Sequence, residues 1–168
     1  MKNASDAEQF QLRSATPADA DRVAALFDDA RSDGGAGGWA ADAISDSLKA
    51  TGSGTVAEAA GGRLIGAALA QVAVDDADLL NIAVLDGERR RGVARALLNA
   101  VKRAAAAAGA HRLMLEVAVD NVPALSFYLA DGARAVGLRR AYYRRGAKNV
   151  DAQILAFDLE SGPLGSKR

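Results

Sequence analysis

This 168-residue sequence predicts a single mixed α/β (α+β) domain. Three observations point there. Short strand-like runs and helically spaced stretches alternate from Phe10 to Leu159 in the order strand, two helices, three strands, helix, strand, helix, two strands. The turn pair Gly61-Gly62 joins two apolar runs as an antiparallel hairpin would. The stretch from residue 79 to 119 reads strand–helix–strand, which requires a parallel crossover.

The elements follow in order. Residues 1–8 are polar and read as a loose start, residues 9–160 as the domain and residues 161–168 as a loose tail. "FQLRSAT" is a short strand. Thr16 then offers an N-cap, Pro17 suits the first helical position, and Val23, Leu26 and Phe27 share one face. "SDGGAGG" at 32–38 has the composition of a flexible loop, and a second helix is expected from Trp39 to about Lys49. The hairpin "GTVAEAA"/"RLIGAALAQVAV" leads to a turn at Asp75–Asp78 and the strand "LLNIAVL". Residues 92–108 are alanine-rich, with Val93, Leu97, Leu98 and Val101 at helical spacing and Gly109 as a stop, which is a strong helix signal. "RLMLEVAV" is a strand, "VPALSFYLADG" a short helix, and "RAVGLRRAYYRR" and "DAQILAFDL" are two closing strands.

Bulk composition narrows the chemistry. Lys+Arg and Asp+Glu both number 21, so the formal net charge is zero, unlike a general nucleic-acid binder. There is no cysteine and one histidine, His111, so thiol chemistry, disulfides and a histidine metal cluster are excluded. His111, before a strand, reads as a surface turn residue. No apolar run is long enough to span a bilayer and the first residues lack a signal-peptide pattern, so a cytoplasmic protein without membrane contact is expected.

The distribution of charge is uneven. Arg89, Arg90 and Arg91 stand together where a strand meets the alanine-rich helix. Free amides and the positive end of the helix dipole meet there, which favours an anion, and Gly92 would let it approach the backbone. A solvated basic turn explains three arginines equally well. The Gly-Lys-Ser/Thr ending of a phosphate loop and the Gly-x-Gly of a dinucleotide turn are absent. Glu116 lies in an otherwise apolar strand. It fits a strand-end carboxylate or a structural salt bridge as well as a catalytic base. Tyr128, with Leu125 and Leu129, fits simple packing of a helix face.

"RRRGVA", with "NIAV" before it and "RALL" after, resembles the Q/R-x-x-G-x-G/A signature of the GCN5-related N-acetyltransferases, Arg89, Gly92 and Ala94 filling its defining positions. The resemblance extends over nearly the whole domain. It implies a mixed twisted sheet flanked by helices and acetyl-coenzyme A as cosubstrate, without a metal. Arg89, Arg90, Arg91, Gly92, Val93 and Ala94 would hold its diphosphate, and the backbone of Ile82, Ala83 and Val84 its pantetheine arm. "LEVAVDNVPALSFY" is similar to the matching stretch of the ribosomal-protein alanine N-acetyltransferases (RimI-type), through Glu116, Asn121, Ala124 and Tyr128. "RRAYYRR" resembles their arginine-rich strand through Arg140, Tyr142 and Tyr143, and Trp39 also has a counterpart.

That likeness implies a glutamate base at Glu116, a tyrosine acid at Tyr128, and Asn121 on the coenzyme. Trp39, Tyr142 and Tyr143 would border the acceptor. The acceptor would be a protein N-terminus, foremost the N-terminal alanine of a small-subunit ribosomal protein, and the enzyme a monomer. An α-amine near pKa ~8 is partly nucleophilic at neutral pH, whereas a lysine amine near ~10.4 is not. Glu116, desolvated among apolar neighbours, would act as base directly or through a water, and Tyr128 would protonate the leaving thiolate. The acid-rich front segment, with Asp28, Asp29 and Asp33, would attract a basic acceptor tail. Departures from the family pattern are Ala94 for the commoner glycine and Ala133 for an aromatic after Gly132. Rival readings are a lysine or small-molecule amine acceptor, a non-catalytic acyl-coenzyme A module, and a nucleic-acid module using the arginine turn.

Overall fold

The computed structural model describes residues 10–30, 38–50 and 52–159. Residues 1–9, 31–37, 51 and 160–168 lie outside it, and with them Asp33, most of the glycine-rich loop and both expected loose ends. The elements are β1 (Phe10–Ser14), α1 (Ala20–Asp29), α2 (Ala41–Lys49), β2 (Gly52–Ala59), β3 (Leu64–Ala73), β4 (Asp76–Val84), α3 (Val93–Ala107), β5 (Arg112–Ala118), α4 (Val122–Ala130), β6 (Arg134–Arg145) and β7 (Lys148–Asp158). Their order is the one expected from the sequence. All seven strands form one sheet in the order β1-β2-β3-β4-β5-β7-β6, parallel only between β4 and β5.

The central strands are apolar because both faces are covered. Along β3, Leu64, Ala67 and Leu69 pack with α1 and α2, while Ile65, Ala68 and Ala70 pack with α3. The stripe Val93, Leu97, Leu98, Val101 and Ala105 holds α3 to the sheet, each side chain at most 1% exposed. Truncating Leu97 to alanine there would cost about 2–5 kcal/mol. The start of α3 sits especially close: a Cβ on Gly66 would come within 3.0 Å of both Val93 and Leu97 side chains. Opposite, Asp19 is buried and takes a fork of two 2.8 Å hydrogen bonds from Arg13.

Some boundaries differ from expectation. Thr16 and Asp19 cap a 3-10 turn at Pro17–Asp19, and α1 begins only at Ala20. Helix α2 begins at Ala41, after Trp39. The β3–β4 turn is confined to Val74 and Asp75, so Asp76–Asp78 belong to β4. Val74 adopts φ 55°, a conformation a β-branched side chain rarely takes, so ordinary turn chemistry would not place the turn there.

Two of the sheet's register irregularities flank the site. Leu80 is an extra residue in β4, since Asn81 pairs with Leu69 and Leu79 with Ala70. Such a bulge bends its strand. It follows directly on the last residue pair joining β4 to β5, Asp78 with Met114, after which the two strands part. The second irregularity is in β6, where Arg140, Ala141 and Tyr142 together face the single residue Asp151 of β7. Ala141 turns to φ 54°, and its N–H donates to the Asp151 carboxylate at 2.7 Å.

Candidate active site

The parting of β4 and β5 opens a cleft of about 580 Å³. Leu79–Ile82 form one wall and Leu115–Ala118 the other. Asn121, Ala124 and Tyr128 border it from α4, Phe27 and Trp39 from the α1–α2 side, and Tyr142–Arg145 from the bulged β6. Beyond Asp78, no strand among the described residues pairs with the β5-facing edge of β4. Peptide groups on that edge are therefore presented to whatever enters the cleft.

Seven of the residues singled out from the sequence meet here. Trp39, Ile82, Glu116, Asn121, Tyr128, Tyr142 and Tyr143 all line this cleft. Ala83 instead packs toward α1 and α2, and Val84 is buried toward α3. Asn121 also caps α4, its Oδ1 accepting from the Ala124 N–H at 3.3 Å. His111 is exposed at the start of β5 and stands outside the cleft.

Glu116 takes up the salt bridge that its pattern allowed, and its desolvated setting is corrected: the side chain is partly exposed and its Oε1 lies 2.8 Å from Arg139 Nε. The nearby Glu116 carboxylate also raises the Tyr142 phenol's pKa above its ordinary value. From the Asp78 side, a carboxyl raised first by burial and then by the nearby Asp76 and Glu116 charges faces the same group. Arg139 reaches Glu116 from across β7, a juxtaposition that no local sequence signature announces. Asp78 became a neighbour through strand register. Counting back along β5 from Glu116 reveals it once the Asp78–Met114 pair is known.

Tyr128 is 7% exposed, and its phenol is pushed well above its ordinary pKa, first by burial and then by Tyr143. It therefore stays protonated through the neutral range, as a proton donor must. Tyr143 packs edge-on against Tyr142, with ring centres 5.0 Å apart, and donates to the Glu116 backbone carbonyl at 3.2 Å. Arg145 pairs with Asp120 at 3.3 Å, tying the β6–β7 hairpin to the loop before α4.

The arginine turn divides its work. Arg89 braces the loop: it pairs with Asp86 at 2.8 Å, and its Nη2 donates to the Ala30 carbonyl at 3.3 Å. Arg91 is held by Glu88, which also takes Arg63 at 2.6 Å. Arg90 is exposed and has no ion pair among the described residues. It adopts φ 61°, and Gly92 follows at φ 81° as the residue preceding α3. The first bond within α3 runs from the Ala96 N–H to the Gly92 carbonyl, so the amides of Val93, Ala94 and Arg95 have no acceptor within the helix. The space over Gly92 is open, with nothing within 4 Å of where a Cβ would stand. An anionic diphosphate fits this junction: unpaired amides, an open approach and a cation beside them.

A model of the acetyltransferase (GNAT) family matches residues 20–132. The chain belongs to the GNAT acetyltransferase family. This GNAT enzyme is thus an acetyl-coenzyme A-dependent N-acetyltransferase, transferring acetyl to an amine. No curated protein matches it in sequence. Its fold is similar to that of the ribosomal-protein-S18-alanine N-acetyltransferase from Escherichia coli, with TM-score 0.81, 24% identity, and 95% of this chain and 99% of that one covered. It is also similar to NAA60 of Arabidopsis thaliana in complex with acetyl-CoA, with TM-score 0.77, 17% identity and 89% and 98% covered. For nourseothricin acetyltransferase the TM-score is 0.74 at 21% identity, with 91% and 100% covered. Within the described residues, no helix is long and apolar enough to cross a membrane.

Proposed function

We propose that this GNAT enzyme acetylates a protein N-terminus, in the first instance the N-terminal alanine of a small-subunit ribosomal protein. The observation carrying the reading is the shared cleft of Glu116, Tyr128, Tyr142 and Tyr143, opening beside a strand edge with no strand partner. Likeness of fold to the E. coli alanine N-acetyltransferase supports the choice of acceptor. The two exposed acids at the end of α1, Asp28 and Asp29, support attraction of a basic acceptor tail, because Asp28 packs against the cleft residue Gly38.

In this reading the α3 amides, Gly92 and Arg90 hold the diphosphate of acetyl-coenzyme A, a substrate that is consumed. The free edge of β4 at Ile82, Ala83 and Val84 aligns the pantetheine arm. Glu116 takes the proton from the α-amine, and the amine attacks the thioester carbonyl. An amide N–H near Val84 stabilises the oxyanion. The tetrahedral intermediate collapses with departure of the thiolate, which takes the Tyr128 proton. Neither a metal nor an acyl-enzyme takes part.

Intact-mass analysis tests the proposal. The protein is incubated with acetyl-coenzyme A and a peptide bearing the ribosomal N-terminus, beside N-blocked and lysine-bearing controls. One added acetyl group on the free-terminus peptide alone is expected. Acetylation of the lysine control or of a small amine instead would reject the acceptor, and cofactor binding without turnover would leave only an acyl-coenzyme A-binding module. A small-molecule acceptor merits its own arm, since nourseothricin acetyltransferase shares the fold.

A further inference from the structure

We infer that Arg139 is a positioning residue for the reaction. It fixes the orientation of the Glu116 carboxylate, so that one oxygen is held and the other is left for the incoming amine. This rests on the proposed role of Glu116 as the base. The geometry is specific. Arg139 approaches through Nε onto Oε1 at 2.8 Å, from a strand that is not adjacent to β5 in the sheet. Its guanidinium also stands 5.4 Å from the centre of the Tyr142 ring, whose phenol the same carboxylate shifts upward. Tyr143 anchors the Glu116 backbone from the same bulged segment. A carboxylate on a strand end otherwise samples several rotamers. Here the side chain is restrained by a cation and its main chain by the Tyr143 phenol.

Arginine suits the task better than lysine because its planar fork fixes direction as well as charge.

The test uses the full chain with acetyl-coenzyme A and a free-amine peptide. R139Q is expected to lower kcat about ten- to a hundredfold, with the KM for acetyl-coenzyme A unchanged, as misorientation of a catalytic group does. R139K should recover part of that loss, since it keeps charge without the fork. Lys148, exposed at the hairpin tip, provides the control K148Q, which should match wild type. A second readout is independent of turnover. The Tyr142 phenol is raised by Glu116 and lowered by Arg139, so its NMR titration should move further up in R139Q and fall in E116Q. Wild-type kcat in R139Q, or reduced kcat with an unmoved Tyr142 titration, would overturn the positioning role. If E116Q instead keeps wild-type kcat, the base assignment fails, and this inference with it. A dead E116Q beside a fully active R139Q defeats the positioning role alone.

Discussion

Gly92→Ala separates what the arginine turn does for the fold from what it does for the cosubstrate. Gly92 sits at φ 81°, where an L-residue costs about 1–2 kcal/mol. No clash adds to this, because the position of its Cβ is open. The expected loss of stability is therefore about 1–2 kcal/mol, read by urea unfolding. The same methyl group would stand in the approach to the α3 amides. Losing one charge-assisted amide hydrogen bond to the diphosphate removes about 1.5–3 kcal/mol, so the KM for acetyl-coenzyme A should rise about tenfold to a hundredfold. Saturating kcat should change little, because Glu116 and Tyr128 are untouched. Gly109 supplies the control. It adopts φ 95° with equally open surroundings and lies just past the other end of the 15-residue helix α3, about 22 Å away. G109A should lose similar stability and leave the KM alone. Equal KM values in the two variants would refute an anion site at this junction.

Other expectations concern the remaining parts. Glu116→Gln and Tyr128→Phe should each lower kcat about 10²- to 10⁴-fold, measured by steady-state kinetics with both substrates saturating. Arg90→Gly should relieve the φ 61° conformation and gain up to about 1 kcal/mol of stability, yet weaken acetyl-coenzyme A binding by calorimetry. Arg13 holds the Asp19 carboxyl well below its ordinary range, so its contribution is full above the unfolded value near pH ~4 and is lost as pH falls below it. Asp19→Asn should then lower stability by about 1–3 kcal/mol at neutral pH and flatten the acid limb of unfolding curves. Neutralising Asp28 and Asp29 together should raise the KM for a basic peptide severalfold at low salt, an effect that added salt removes.

Much of the fold was legible because its signals are local. The Gly61-Gly62 turn, the alanine-rich α3 with Gly109 behind it, and the Pro123-to-Gly132 limits of α4 each follow from the conformational preferences of a few adjacent residues. The alternation along β3 between the α1–α2 face and the α3 face was visible only as a continuous apolar run. The surroundings of Glu116 were not legible. Arg139 arrives from across β7, and Asp78 through strand register, and both are tertiary outcomes. The arginine triplet was legible as a charge cluster. Its division into a brace, a glutamate-held partner and one free cation depends on where Asp86, Glu88 and Ala30 come to rest.

A crystal structure with acetyl-coenzyme A bound tests the central assignment most directly. The diphosphate should lie against the amides at the start of α3 beside Gly92, with the thioester carbonyl between Glu116 and Tyr128. A diphosphate bound elsewhere, or a sulfur atom away from that pair, would contradict it.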